Sequence, residues 1–177
     1  MLSQRVAGAD KLMMEPSPFA LERGRALAHA PLCQSYATRL GVEPAALFAF
    51  ITDFPRLPEW MPLIKRATVD NSEAAIPGQV GAVRLIEAPA APVTRERVVA
   101  FEQDKLLAYS ASDASLMGML RNHLGVLTTE AHPQGGTWLS WLSYGDAGSL
   151  PMGWFGGPMF RFVIGRSLRN LQRRFPV

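Results

Sequence analysis

Apolar and polar residues alternate in seven short segments of the chain, separated by glycine, proline or polar turns. Alternation with a period of two predicts strands that bury one face. The predicted strands cover residues 34–40, 63–70, 79–87, 93–102, 106–111, 121–131 and 137–144. Because most neighbours along the chain are joined by short turns, we expect a largely antiparallel sheet.

A different pattern fills residues 48–62, FAFITDFPRLPEWMP. A short apolar helix is predicted over residues 45–51, and three prolines within eight residues exclude its continuation as one regular helix. The segment is nevertheless too apolar for a solvent-exposed loop. It predicts a kinked pair of short helices whose large apolar side chains press against the rest of the protein: Phe48, Phe54, Leu57 and Trp60.

The C-terminal segment has helical periodicity instead. Its apolar stripe comprises Met159, Phe160, Val163, Ile164, Ser167, Leu168, Leu171 and Phe175. One amphipathic helix is predicted, beginning at Met152 or Pro158 and ending at Arg174. The glycines at 153, 156 and 157 favour a kink or a late start.

This order of elements predicts an α+β helix-grip fold. In that fold a curved antiparallel sheet of about seven strands wraps around the long C-terminal helix, and two short helices follow the first strand. One helix does not fill the interior of such a sheet, so a cavity is expected between them. Residues 31–177 are assigned to this domain. Residues 1–30 are assigned to a partly ordered N-terminal extension, with a short helix over residues 22–29.

Several of these segments carry a family resemblance. The stretches ATRLGVEPAALFAFITDFPRLPEWMP, VGAVRLIEA, RERVVAFE, LLAYS, NHLGVLTTE and GGTWLSWLSY resemble the polyketide cyclase/dehydrase and lipid-transport group. That group belongs to the START-like (SRPBCC) superfamily, which is built like the birch-pollen allergen. The resemblance runs from about residue 33 to residue 175. It implies the helix-grip fold and a hydrophobic ligand such as a lipid, an isoprenoid or a polyketide.

Composition narrows the alternatives. The chain has 177 residues, 48% of them hydrophobic, and no apolar run of about 18 residues that would span a membrane. A single cysteine, Cys33, excludes an internal disulfide and is typical of a reducing compartment, so a cytoplasmic location is expected. No metal-ligand spacing occurs, and neither a metal nor a cofactor is expected. The protein is expected to be a monomer or a homodimer.

A net charge of +3 is too small to require a nucleic-acid partner, and none is expected. The last helix is nevertheless rich in arginine: Arg161, Arg166, Arg169, Arg173 and Arg174. They form either an ordinary solvated helix face or a surface for an anionic membrane or an acidic partner. Transient contact with a membrane surface therefore remains open.

Four residues are the main candidates for chemistry. Trp60 either stacks on a ligand or anchors the short helices in the core. Arg84 and Glu96 lie on neighbouring strands and form either an inward pair that orients a ligand or cross-strand pairs on the surface. His123 is the best candidate for a general acid or base, or else a histidine that is hydrogen-bonded within a strand.

The segment over residues 145–160 combines bulky side chains with glycines. It is either a lid over the cavity or the ordinary join between the last strand and the last helix. The set expected to line the ligand site is Trp60, Arg84, Glu96, His123, Trp141, Trp154, Phe155, Met159, Phe160 and Val163.

Three functions are compatible with these observations. The first is binding or transport of a hydrophobic small molecule without catalysis. The second is a cyclase or dehydratase reaction that uses His123 with Glu96 or Arg84. The third is interaction with a partner through the arginine-rich helix.

Overall fold

The computed structural model describes residues 14–112, 119–148 and 152–177. In the last range it describes side chains from Gly156 onward. In chain order the helices and strands are α1 (Pro18–Leu27), β1 (Leu32–Leu40), α2 (Pro44–Thr52), a 3₁₀ helix (Phe54–Glu59), β2 (Arg66–Asp70), β3 (Val83–Glu87), β4 (Thr94–Glu102), β5 (Leu106–Ala111), β6 (Leu120–Ala131), β7 (Thr137–Ala147) and α3 (Met152–Arg174).

The strands of this described part form one antiparallel sheet in the order β1-β7-β6-β5-β4-β3-β2. The predicted α+β helix-grip architecture is confirmed. Three predicted strand boundaries are wrong by three residues or more, for local reasons. Strand β3 starts at Val83 and not at residue 79, because Gly78 and Gly81, with φ of 78° and 93°, turn the chain before it. Strand β2 starts at Arg66 and not at residue 63, because Leu63 has a φ of 67° and turns the chain. Strand β7 continues to Ala147, where it still pairs with Leu120, so Gly145 belongs to the strand and not to a link.

The proline-interrupted segment forms two short helices, as predicted. Pro44 occupies the first turn of α2, where its missing N–H costs nothing. The 3₁₀ helix begins at Phe54, directly after α2 ends. The four large apolar side chains of this segment, Phe48, Phe54, Leu57 and Trp60, are each at most 2% exposed, so both helices are pressed firmly onto the sheet and α3.

Helix α3 begins at Met152, the earlier of the two predicted starts. Its buried stripe contains Ile164, Leu168 and Leu171, which pack in the same core as the sheet. Asn170 Nδ2 donates to the Trp60 carbonyl at 3.0 Å and ties α3 to the short helices. Although α3 has 23 residues, neither it nor any other described helix is long and apolar enough to cross a membrane.

The N-terminal helix begins and ends earlier than predicted. It covers Pro18–Leu27 and not residues 22–29, because Ser17 caps it by accepting from Ala20 N–H at 3.0 Å and Pro18 starts its first turn. Ala20 of this helix joins a second hydrophobic cluster on the outer face of the sheet, with Leu142 and Tyr144. The extension therefore contributes a small core of its own against the sheet.

Candidate functional site

The pairing of four strands sets one row of side chains across the interior face of the sheet. Arg84 of β3 pairs with Glu96 of β4, Glu96 pairs with Ala111 of β5, and Ala111 pairs with His123 of β6. Because paired residues of an antiparallel sheet point to the same face, all four share one surface, and we call them the polar row. Burial places that surface inside, since Arg84 and His123 are each 4% exposed.

Arg84 and Glu96 form a buried ion pair at the start of this row. The side chain of Arg84 is 5% exposed and that of Glu96 is 12% exposed. The guanidinium also lies over two rings, 3.9 Å from the centre of Tyr109 and 4.9 Å from the centre of Phe54. Its charge is thus balanced by one carboxylate and two aromatic faces. Of the two alternatives stated for this pair, the structure shows the inward one.

Tyr109 occupies the middle of the site, although it is not among the site residues predicted from the sequence. It faces Gly125 across the β5–β6 pair. A methyl group on Gly125 would lie 2.6 Å from Tyr109 Oη and 2.7 Å from Cε2, so only glycine lets the phenol ring lie across the neighbouring strand. A glycine inside an otherwise regular strand is the signal that points to such a close approach.

Two tryptophans extend the site towards the short helices. Trp141 Nε1 donates to Tyr109 Oη at 3.2 Å. The rings of Trp141 and Trp60 meet edge-on with their centres 5.9 Å apart. Trp60 is therefore a core anchor, as one of its two interpretations stated, and it also lies at the border of the polar row. These rings lie in the core between sheet and helices, where the sequence predicted a cavity.

His123 closes the row on the side of α3. Its ring lies 5.9 Å from that of Tyr109 and 5.7 Å from that of Phe160. A groove of about 500 Å³ lies on the α1 side of the sheet, which is its outer face, and His29, Leu124 and His123 are among the residues that line it. The His123 ring itself is buried on the interior face, and only 4% of the residue is exposed.

Among the buried polar atoms without a hydrogen-bond partner in the described residues, three belong to the side chains discussed above. They are Trp60 Nε1, Arg84 Nε and His123 Nδ1. A buried polar group without a partner costs about 1–3 kcal/mol, which makes three of them around one tyrosine costly. Two of these atoms are obligatory N–H donors, so the site offers hydrogen bonds that this chain leaves unused.

Burial also sets the protonation states. It raises the pKa of the Tyr109 phenol, and the negative charge of Glu96 raises it further. Burial lowers the pKa of His123, while Glu96 acts in the opposite direction and Arg84 lowers it too. At neutral pH the phenol and the imidazole are therefore uncharged. With the Arg84–Glu96 pair in balance, the site carries no net charge.

The other expected ligand-site residues are distributed unevenly. Phe160 and Val163 are half-buried on α3, on the side of the sheet. Met159 is 45% exposed, because at about 100° per residue position 159 falls off the line through Ile164 and Leu168. The side chains of Trp154 and Phe155 lie outside the described residues.

Three further charged residues of β3 and β4 lie on the surface. Arg95 and Arg97 flank Glu96 in sequence and are both exposed, as strand alternation requires. Arg97 pairs with Glu73 at 2.7 Å, and Glu87 lies 4.0 Å from Arg66. These charges therefore belong to the outer surface.

The low pKa of His123 predicts a loss of stability on acidification. Burial holds the pKa below its ordinary value of 6.5, to which it returns on unfolding. The unfolded chain then binds the proton at a higher pH, so this stability is complete above about pH 6.5 and declines below it, by up to about 1.4 kcal/mol per pH unit. Urea titrations give the free energy of unfolding at about pH 7.5 and at about pH 5.5. The difference between these two free energies should be smaller for His123→Gln than for the wild type. His29→Gln, at an exposed position, should retain the wild-type difference, and an unchanged pH dependence in His123→Gln would contradict the assignment.

Solved structures of bacterial proteins share this fold. The protein XoxI from Bacillus cereus matches with a TM-score of 0.65 and 19% identity over 80% of this chain and 94% of that protein. A protein from Nitrosospira multiformis matches with a TM-score of 0.61 and 18% identity, over 82% of this chain and 96% of that one. A protein from Thermobifida fusca has a TM-score of 0.61 and 21% identity, over 79% and 90%. At these identities the likeness concerns the fold alone.

Sequence comparison identifies the family. No curated protein gives a significant match to the chain. The family model described as polyketide cyclase / dehydrase and lipid transport matches residues 35–176. This range extends from β1 to the end of α3 and contains every residue of the polar row. The chain belongs to the polyketide cyclase / dehydrase and lipid transport family.

Proposed function

We propose that the protein binds a hydrophobic small molecule whose polar end is an uncharged oxygen. The observation that carries this proposal is the set of unused hydrogen-bonding atoms on Trp60, Arg84 and His123, all within one chain of contacts around Tyr109. A ligand oxygen that accepts from the two N–H groups would remove part of their desolvation cost. The membership of the family supports a ligand of this general kind.

The charge balance of the site argues for a neutral polar group. The only full charges of the row belong to Arg84 and Glu96, and they pair with each other. A carboxylate or phosphate ligand would add a buried negative charge without a free counterion, which is strongly unfavourable. A ketone, a quinone, a phenol or an alcohol needs no counterion. We therefore expect these classes to bind and their anionic analogues to be rejected.

The surroundings of the polar atoms argue for a hydrophobic body. Aromatic rings border the row on three sides, from Phe54 on the short helices, Trp141 on β7 and Phe160 on α3. Small-molecule sites are typically apolar with a few placed polar groups, and the aromatic rings around this row fit that description. A flat or branched apolar ligand would replace ring contacts made by Phe160.

A thermal-shift panel of matched ligand pairs tests this proposal. Each pair shares one hydrocarbon body and differs only in its polar end: ketone against carboxylate, phenol against benzoate, and alcohol against phosphate. The neutral member should raise Tm, since a ligand at about 100 times its Kd stabilises by about 2.7 kcal/mol. The anionic member should raise it much less. Two results would contradict the proposal: an equal rise in Tm with both members of a pair, or no rise in Tm with any ligand of the panel.

Trp60→Phe gives the test variant, because it keeps an aromatic ring and removes the Nε1–H together with part of the indole; the control below loses the same ring volume. We expect about a tenfold weaker affinity for the neutral ligand, which corresponds to one lost hydrogen bond of about 1.4 kcal/mol. Trp138→Phe is the control. The Nε1 of Trp138 is also buried without a partner among the described residues. Trp138 lies three residues before Trp141 on β7, so its side chain points to the outer face of the sheet, away from the site. The control variant should leave ligand affinity unchanged.

A second candidate function is an enzymatic cyclisation or dehydration at the same site. The observation that favours it is the neutral, buried His123 with an unpartnered Nδ1 beside the Tyr109 ring. A neutral imidazole can accept a proton from a carbon next to a ketone, with Glu96 and Arg84 as the charges that face it. His123→Gln would then abolish turnover of a polyketone while ligand affinity stays within a few-fold. Retained turnover in His123→Gln would exclude this candidate.

We further propose that the protein acts in the cytoplasm as a monomer or a homodimer. The exposed, unpaired Cys33 supports a reducing compartment. Fractionation of cells and sedimentation of the purified protein test the two statements separately.

A further inference from the structure

The outward face of α3 carries a stripe that the ligand site does not use. Positions 159, 162, 166, 169 and 173 follow a spacing of three and four residues, so they share one side of the helix. This side is opposite to the buried line of Ile164, Leu168 and Leu171. We call the five exposed residues the α3 stripe: Met159, Phe162, Arg166, Arg169 and Arg173.

The stripe begins with two exposed apolar side chains. Met159 is 45% exposed and Phe162 is 53% exposed, and they are one helical turn apart. Single exposed apolar residues are common on protein surfaces, but two neighbours at the end of a basic row form a distinct patch. The end of α3 that carries this patch also carries Phe160, which contacts His123 inside.

The stripe continues with three arginines whose charge is not neutralised. Helix α3 contains no acidic residue, and no carboxylate of the described residues lies within ion-pair distance of Arg166, Arg169 or Arg173. Arg174 differs, because it pairs with Glu59 at 3.4 Å and lies over the Phe50 ring. The three free charges therefore face solvent together.

A groove of about 610 Å³ borders the basic end of the stripe. Arg39, Arg169 and Arg173 supply its cations, and Met14 and Phe175 supply apolar surface. Such a groove beside exposed cations suits the headgroup of an anionic lipid. The basic and apolar parts of this surface thus follow each other along about 21 Å of helix, at 1.5 Å per residue.

We propose that the α3 stripe docks the protein on the surface of an anionic phospholipid bilayer. Phe162 and Met159 enter the boundary between headgroups and acyl chains, and the three arginines bind headgroup phosphates. RNA would use the arginines but would leave Met159 and Phe162 exposed, whereas a bilayer accommodates both parts. Docking in this orientation brings the Phe160–His123 end of the ligand site towards the membrane. The docking itself does not depend on the ligand proposed above.

Co-sedimentation of the full chain with vesicles tests this surface. The probes are vesicles of pure phosphatidylcholine and vesicles with about one third phosphatidylglycerol. The wild type should partition onto the anionic vesicles at low salt, much less at about 0.5 M salt, and weakly onto the neutral ones. Equal binding to both compositions, or no binding to either, would overturn the proposal. So would tight binding to RNA without binding to anionic vesicles.

Two variants separate the parts of the stripe. Arg166→Gln/Arg169→Gln/Arg173→Gln should reduce partitioning on the order of a hundredfold, since each cation near such a surface contributes about fivefold. Phe162→Ser/Met159→Ser should reduce it about tenfold and leave its salt dependence intact. The control Arg25→Gln/Arg66→Gln/Arg121→Gln removes the same charge from exposed positions elsewhere and should bind as the wild type does. If the control variant loses as much vesicle binding as the stripe variant, net charge alone would explain the effect. That result would overturn the proposal.

Phe162→Trp gives a readout that does not depend on loss of binding. Its emission should shift to the blue with anionic vesicles and be quenched by brominated acyl chains, because the side chain enters the lipid. Emission unchanged by vesicles that the protein demonstrably binds would contradict the docking orientation.

Discussion

Replacing Glu96 by alanine is expected to lower the free energy of unfolding by about 3–5 kcal/mol, because it leaves the Arg84 charge buried without its partner. Arg84 is 4% exposed, so water cannot replace the lost carboxylate. The two aromatic faces at 3.9 and 4.9 Å recover only part of this loss. Urea denaturation with linear extrapolation measures the change.

The matched control removes both charges at once. Arg84→Met/Glu96→Leu keeps similar volumes and leaves no unpaired ion, so it should be within about 1–2 kcal/mol of the wild type or more stable. Glu73→Ala breaks the exposed pair with Arg97 and should change the free energy of unfolding very little, because water and salt screen that pair. A Glu96→Ala protein as stable as Glu73→Ala would show that the Arg84–Glu96 pair is not buried in the way described.

Replacing Gly125 by alanine is expected to displace the Tyr109 ring, because the added methyl group would overlap the phenol. Overpacking of this kind typically costs about 1–3 kcal/mol. The displaced ring also loses the hydrogen bond from Trp141 and its place beneath the Arg84 guanidinium. We therefore expect both the unfolding free energy and the affinity for the neutral ligand to fall, the latter by at least about tenfold.

Gly157→Ala is the control for this substitution. A methyl group at Gly157 would meet no atom within 4 Å, and within α3 alanine is favoured over glycine by up to about 1 kcal/mol. It should be neutral or stabilising. Tyr109→Leu should rescue much of the stability lost in Gly125→Ala, since the two side chains interfere directly. Additive losses in the double variant would contradict the steric explanation.

Local patterns in the sequence were sufficient for most of the fold. Strand alternation predicted the seven strands, and the prolines after Phe54 predicted the broken helix pair. The same alternation required Arg95 and Arg97 to face away from Glu96, and this the structure shows. These features depend on neighbours along the chain, which is why they can be read from it.

The composition of the site could not be predicted in full, because it depends on pairing between distant strands. That Tyr109 meets Gly125 and that Trp141 reaches Tyr109 follows from the register of β5, β6 and β7. A glycine in a strand indicates a close approach but does not say to which residue. The exposure of Met159 could not be predicted for a related reason: the apolar stripe of α3 is wider than the line that touches the sheet.

The N-terminal helix shows a further limit. Its cap at Ser17 is recognisable as a local signal, but its contact with the outer face of the sheet is not. Ser17 also donates to Glu130 on β6, which is more than a hundred residues away in the chain. Such a contact can be expected only once the sheet is known.

The most direct measurement of the central claim is the NMR resonance of the Trp60 indole N–H during titration with the neutral member of a ligand pair. The four tryptophans give at most four indole signals, and Trp60→Phe assigns the relevant one. If a ligand oxygen accepts from Trp60 Nε1, this signal should move to lower field and its proton should exchange more slowly, while the signal of Trp138 stays in place. A ligand that binds and stabilises the protein without moving the Trp60 signal would contradict the proposed site.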